Sequence, residues 1–220
     1  MEKNSDSELL QAWRSGDVAA GEALFARHYK SVHRFFCNKV GADEADDLIQ
    51  ETFLGCLRGR ERFEVAFRTY MFGVARKQLL KHRDRWQRKQ RETDYQSDRI
   101  AALEASPSQL AADKEEQRLL LRALRRLPLD LQVALELFYW EDMRSLDIAK
   151  VLDVPHGTAR SRLRRGRDLL RDEVEALAQS TALLESTLGN FDDWMQSVRA
   201  NVPSAESQDG EREDIASFDA

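Results

Sequence analysis

The chain has 220 residues, of which 33% are charged and 42% hydrophobic, and its net charge is −5; that length holds one or two domains with a real core. No run nears the roughly eighteen apolar residues of a membrane span, and MEKNSDSELL is no signal peptide, so a cytoplasmic protein without membrane insertion is expected. Cys37 and Cys56 sit in apolar helical settings, and the four histidines are scattered. Neither a disulfide framework nor a metal site is suggested, and with no catalytic or cofactor motif neither an enzyme nor a cofactor is expected.

Ser5 or Asp6 can cap a first helix carrying Leu9, Leu10 and Trp13, which stops near Ser15-Gly16. A second helix, roughly Val18 to Val40, places Leu24, Phe25, Tyr29, Val32, Phe35 and Phe36 at helical intervals and reads as core. After Gly41, a third helix has an apolar stripe of Leu48, Ile49, Phe53 and Leu57, and its first turns hold Asp43, Glu44, Asp46, Asp47 and Glu51 with no basic residue before Arg58. Acids near a helix start favour its dipole.

Arg58, Gly59, Arg60 and Arg62 lead into a fourth helix beginning at Phe67. Its first half mixes Phe67, Tyr70, Met71, Phe72 and Val74, and from Arg76 to Arg91 it carries eight Arg or Lys against one Asp, a local +7. Rings beside cations suit single-stranded nucleic acid, because bases stack while the backbone follows the charge; the same helix can turn an apolar stripe inward. The pattern lapses from 92 to 111, around a Ser-Pro-Ser break, and reads as a linker. Helical periodicity resumes with Leu119, Leu120, Leu124 and Leu127, breaks at Pro128, and continues through Leu131, Ala134, Leu135, Phe138 and Tyr139. No alternating strand or hairpin signal occurs, so the expected fold is all-α: two small helical domains joined by a flexible linker.

The second domain ends in a pattern for a helix-turn-helix. Ile148, Leu152, Val154, Ala159 and Leu163 follow the inward positions of two short helices, with Val154-Pro155 breaking the first. Between Met143 and Arg171 eight Arg or Lys face three Asp, a local +5. In such motifs the start of the second helix meets base edges. Here that start is His156, Gly157, Thr158, Arg160 and Ser161, with Arg162 next, while Arg164, Arg165 and Arg167 lie farther along where phosphates fix register. The net charge of −5 does not oppose this reading, because residues 201–220 hold all of it and the first 200 residues sum to zero.

Two stretches carry a family resemblance. DDLIQETFL, Asp46 to Leu54, resembles the DLVQETFL-type segment of bacterial extracytoplasmic-function (ECF) sigma factors, and DIAKVLDVPHGTARSRLRRGRDLLR resembles their EIAEILGVPVGTVKSRLHRARALLR-type segment. The resemblance covers about residues 6–91 and 112–174. It implies a factor that binds core RNA polymerase and directs promoter recognition and melting, with an anti-sigma protein as a frequent partner. It further implies polymerase-clamp contacts at Asp46, Asp47, Gln50, Glu51 and Phe53, minus-10 contacts at Arg68, Tyr70, Lys77, Lys81 and Arg83, and minus-35 reading by the helix-turn-helix. Gly55, Gly73 and His156 depart from the family pattern, where larger or apolar residues are usual.

Domain bounds follow: 1–91 for clamp binding and the minus-10 element, 92–111 linker, 112–174 for the minus-35 element, 175–200 an amphipathic helical extension, and 201–220 an acidic disordered tail. The two promoter elements lie roughly 55 to 60 Å apart, at about 3.4 Å per pair. A linker of about twenty residues reaches that only when extended. The rival reading is a self-sufficient helix-turn-helix repressor or activator, which would bind duplex without polymerase. For the tail, one expectation is that its −5 charge competes with DNA for the basic helix.

Overall fold

The computed structural model describes residues 5–62, 64–93 and 115–177. Over these the chain is helical throughout, in the order α1 (Asp6–Arg14), α2 (Val18–Cys37), α3 (Ala42–Gly59), α4 (Phe67–Thr93), α5 (Glu115–Arg126), α6 (Leu129–Tyr139), α7 (Ser145–Leu152) and α8 (His156–Leu177). The all-α expectation holds. Most of the expected linker and all of 178–220 lie outside the described residues, as does the expectation for the acidic tail.

Local chemistry sets the helix starts. Ser5 is the first cap: its hydroxyl accepts from the Glu8 N–H at 3.3 Å while the Glu8 carboxylate accepts from the Ser5 N–H at 2.6 Å, a reciprocal box that satisfies two orphan donors. Asp17 caps α2 through the Ala20 N–H at 3.2 Å. The break inside the helix-turn-helix falls earlier than Val154-Pro155. α7 is capped at its C-terminus by Asp153, which is left-handed at φ 56°, a conformation that a short polar side chain tolerates better than the β-branched Val154 would.

Helices α1 to α4 enclose one core, with Leu24, Val32, Phe36, Met71 and Phe72 fully buried. Its aromatic centre has Trp13 edge-on to Phe25 at 5.1 Å and Phe25 tilted on Phe53 at 4.8 Å. Leu57 is not part of the inward stripe; it is 44% exposed. A second core unites α5, α6 and α8 through Leu120, Leu124, Leu135, Trp140, Leu170 and Val174. Gly166 lets α8 lie close to α6, since a Cβ there would stand 3.2 Å from Leu135 Cγ.

The two groups of helices pack directly on each other. α6 is buried without interruption from Leu131 to Leu137, which requires neighbours all round it. Leu131 and Leu135 join the second core, while Val133, Ala134 and Leu137 join the first, together with Ile148, Val151 and Leu152 of α7. α7 lies along α4.

Candidate DNA and polymerase interface

α8 begins directly after the Asp153 turn, so its first N–H groups have no helical carbonyl to bind and point outward with the positive end of the dipole. His156, Gly157, Arg160, Ser161, Arg164 and Arg165 are exposed along it; Thr158 is half-buried. His156 Nε2 lies 2.8 Å from the Ser145 hydroxyl, which joins the two helices of the motif at their starts. A Cβ on Gly157 would meet nothing within 4 Å, so packing inside the chain does not demand glycine there.

Arg162 and Arg167 differ from the other α8 candidates. Arg162 is half-buried and pairs with Asp130 of α6 at 3.0 Å. Arg167 lies 5.4 Å over the Phe138 ring and 5.3 Å over Tyr139, so its guanidinium forms one wall of a basic groove floored by an aromatic ring. Phe138 and Ser145 line that groove beside Arg160 and Arg164. Reading the sequence assigned neither residue to the site, because each looks like ordinary core or cap until α6 is placed.

The five α4 candidates divide between two faces. At about 100° per residue, Tyr70, Lys77 and Lys81 share one side and Arg68 and Arg83 the other. Lys77 and Lys81 are exposed. The Tyr70 hydroxyl fills the space where a Cβ on Gly59 would stand, and burial raises the phenol above its usual range. Arg68 points to the α6–α7 turn, where it donates to a Glu141 carboxylate oxygen at 2.7 Å and to the Glu141 backbone carbonyl. Arg83 is half-buried.

On α3, Asp46, Asp47, Gln50 and Glu51 are all exposed, and among the described residues none of these three acids forms an ion pair. Phe53 is half-buried against Phe25. Beside this acidic edge runs an open apolar groove that Tyr29, Leu54 and Leu57 line with Phe53. The period that predicts Leu57 as core cannot show that no helix covers it. Gly55 has a steric reason, because a Cβ there would stand 2.7 Å from Val74 Cγ1, whereas Gly73 faces open space.

No described helix is long and apolar enough to cross a membrane, and the described residues hold no group of three or more metal-ligating side chains.

Comparison with known proteins matches two family models in chain order, Sigma-70 region 2 over residues 24–91 and Sigma-70, region 4 over residues 117–170. The ECF RNA polymerase sigma-E factor of Haemophilus influenzae is 25% identical over 186 residues, covering 80% of this chain and 98% of the relative. The sigma-E factor of Escherichia coli K12 is 25% identical over 186 residues, with 80% and 97% covered. Among solved structures, the sigma factor RpoE in complex with the anti-sigma factor NepR from Bartonella quintana has a TM-score of 0.56 at 20% identity, covering 70% of this chain and 96% of that one. CnrH in complex with the cytosolic domain of CnrY has a TM-score of 0.56 at 19% identity, covering 80% and 100%. These two likenesses concern the fold. With both sigma-70 regions in order and full-length relatives of one kind, the chain belongs to the ECF group of RNA polymerase sigma factors.

Proposed function

We propose that this chain binds core RNA polymerase through the acidic edge of α3 and gives it promoter recognition, α8 reading the minus-35 element and α4 engaging the minus-10 element. The observation that carries the reading is the joint exposure of His156, Gly157, Arg160, Ser161, Arg164 and Arg165 at the start of the second helix of a helix-turn-helix. Five of the six have a definite task there. Arg160 and Ser161 reach base edges, the free N–H groups of the helix start and Arg164 and Arg165 hold phosphates, and the open side of Gly157 admits close approach of the DNA backbone. Lys77 and Lys81 follow the strand on α4. The domain division at the linker serves the spacing between the two elements. The sigma factor RpoE, which shares this fold, is held by the anti-sigma factor NepR in its solved complex, which supports an anti-sigma partner here.

The acidic edge provides the test. Asp47 and Glu51 are exposed and outside every ion pair described, so Asp47→Lys with Glu51→Lys costs little stability, within about half a kcal/mol per site. The double variant is expected to keep its helical circular dichroism but no longer co-elute with core polymerase on gel filtration, while wild type does. Co-elution of both would overturn the α3 assignment. Failure of wild type to co-elute, with specific duplex binding retained, would make the chain a self-sufficient regulator.

A further inference from the structure

Two open grooves of the molecule combine apolar side chains with charge of opposite sign. The groove on α3 runs beside the exposed Asp46. The groove on α8 is floored by Phe138 and Leu163, both half-buried, and walled by Arg160, Arg164, Arg167 and Arg171 against the single acid Asp168. Phosphates account for the arginines of this second groove but not for its floor, because a duplex backbone presents anionic oxygens and not apolar surface. A ligand that uses both carries rings beside carboxylates. α8 ends at Leu177, and the chain continues to residue 220, outside the described residues. In that continuation the sequence Phe191-Asp192-Asp193-Trp194 sets two carboxylates between two rings.

We propose that the 191–194 segment docks in the α8 groove, its rings on Phe138 and Leu163 and its carboxylates on the arginines, and so withholds Arg160 and Arg164 from DNA. The withholding rests on the reading that α8 binds promoter DNA. Charge selects this groove over the one on α3, where Asp192 and Asp193 would meet acids. Chain length permits the contact. Along α8, Arg171 and Arg160 stand about 9 and 26 Å back from Leu177, at about 1.5 Å per residue. Asp192 follows Leu177 by fifteen residues, and a free chain of that length averages roughly 19 to 23 Å. Tethering on this scale gives an effective concentration on the order of 1 mM. An intrinsic affinity on the order of 0.1 mM then fills the groove about nine-tenths of the time and weakens DNA binding about tenfold.

The test uses the full chain and has two readouts. The first places a photocrosslinking benzoylphenylalanine at position 194 and maps crosslinks within one chain by mass spectrometry. They are expected on α8 and around Phe138; crosslinks on α1 to α4, or none, overturn the docking. The second is affinity for a short mixed-sequence DNA duplex over a salt series. Asp192→Asn with Asp193→Asn is expected to bind about tenfold tighter than wild type at low salt. Its advantage shrinks as salt rises, because salt screens the carboxylate–arginine contacts. Trp194→Ala leaves the charge unchanged and should bind about threefold tighter. A control, Asp209→Asn with Glu211→Gln, makes the same charge change farther along the chain and gains about twofold at most. Equal tightening in the control, or unchanged affinity in both docking variants, overturns the masking. Crosslinks in the groove with no duplex binding by any form would remove the DNA reading of α8 and leave the docking. Duplex binding with crosslinks elsewhere would remove the docking and leave the DNA reading.

Discussion

Lys39, in the turn after α2, and Glu136 of α6 form an ion pair whose side chains are 3% and 2% exposed, joining the two groups of helices inside the molecule. Burial pulls the Lys39 ammonium below its ordinary range, and Glu136 opposes part of that shift. Such a pair adds little beyond an apolar contact of the same shape, yet losing one partner strands a buried charge at about 3 to 5 kcal/mol. Lys39→Ala is therefore expected to separate the two groups, seen as a larger radius of gyration with helical circular dichroism retained. Lys39→Met with Glu136→Leu should restore compactness. An expanded double variant would contradict this account.

Gly55 of α3 and Gly73 of α4 predict opposite effects for one chemical change. Gly55→Ala forces a Cβ to 2.7 Å from Val74 Cγ1 and should destabilise by about 1 to 3 kcal/mol, as overpacking does. Gly73→Ala meets open space in a helix interior and should stabilise by about 0.5 to 1 kcal/mol. Urea denaturation midpoints at constant slope decide both.

On α8, Arg160→Ala is expected to weaken binding at particular minus-35 positions by about 1 to 3 kcal/mol, whereas Arg165→Ala weakens binding to every sequence and lowers the salt dependence. Both are exposed, so neither change should disturb the fold. Affinities on a panel of single-base promoter variants separate the roles, and equal losses on every variant would erase the division.

Burial pushes the Cys56 thiol up to about 12; at Cys37 burial, joined by the nearby Asp46 charge, gives about 11. The thiolate is the reactive species, and at pH 8 it then amounts to on the order of one molecule in a thousand or fewer. An aromatic disulfide reagent should label neither cysteine in the folded chain and both after denaturation. Rapid labelling of the native protein at pH 8 would show that the α2–α4 core opens readily.

Much of this molecule was legible along the chain, because helix starts, stops and faces depend on residues within about four positions. Ser5 with Glu8, the break at Pro128, the αL stop at Asp153 beside the expected Val154-Pro155 break and the exposed acids of α3 are of that kind. Periodicity also separated the buried Ile148, Leu152 and Ala159 from the exposed Arg160, Arg164 and Arg165. What it could not show is which outward face another helix covers. Arg162 and Arg165 look alike in the sequence, but Asp130 of α6 holds one and leaves the other exposed. Arg68 and Lys77 both read as strand-binding cations until Glu141 is placed beside the first, 73 residues away. α6 is the source of the difference. Its apolar residues from Leu131 to Leu137, interrupted by Gln132 and Glu136, have no single face, so its sequence pointed to burial on several sides without naming the neighbours. Only the tertiary structure decided that those neighbours include α7 and α8, and so which cations of the protein stay exposed, because ion pairs over such separations depend on where whole helices pack.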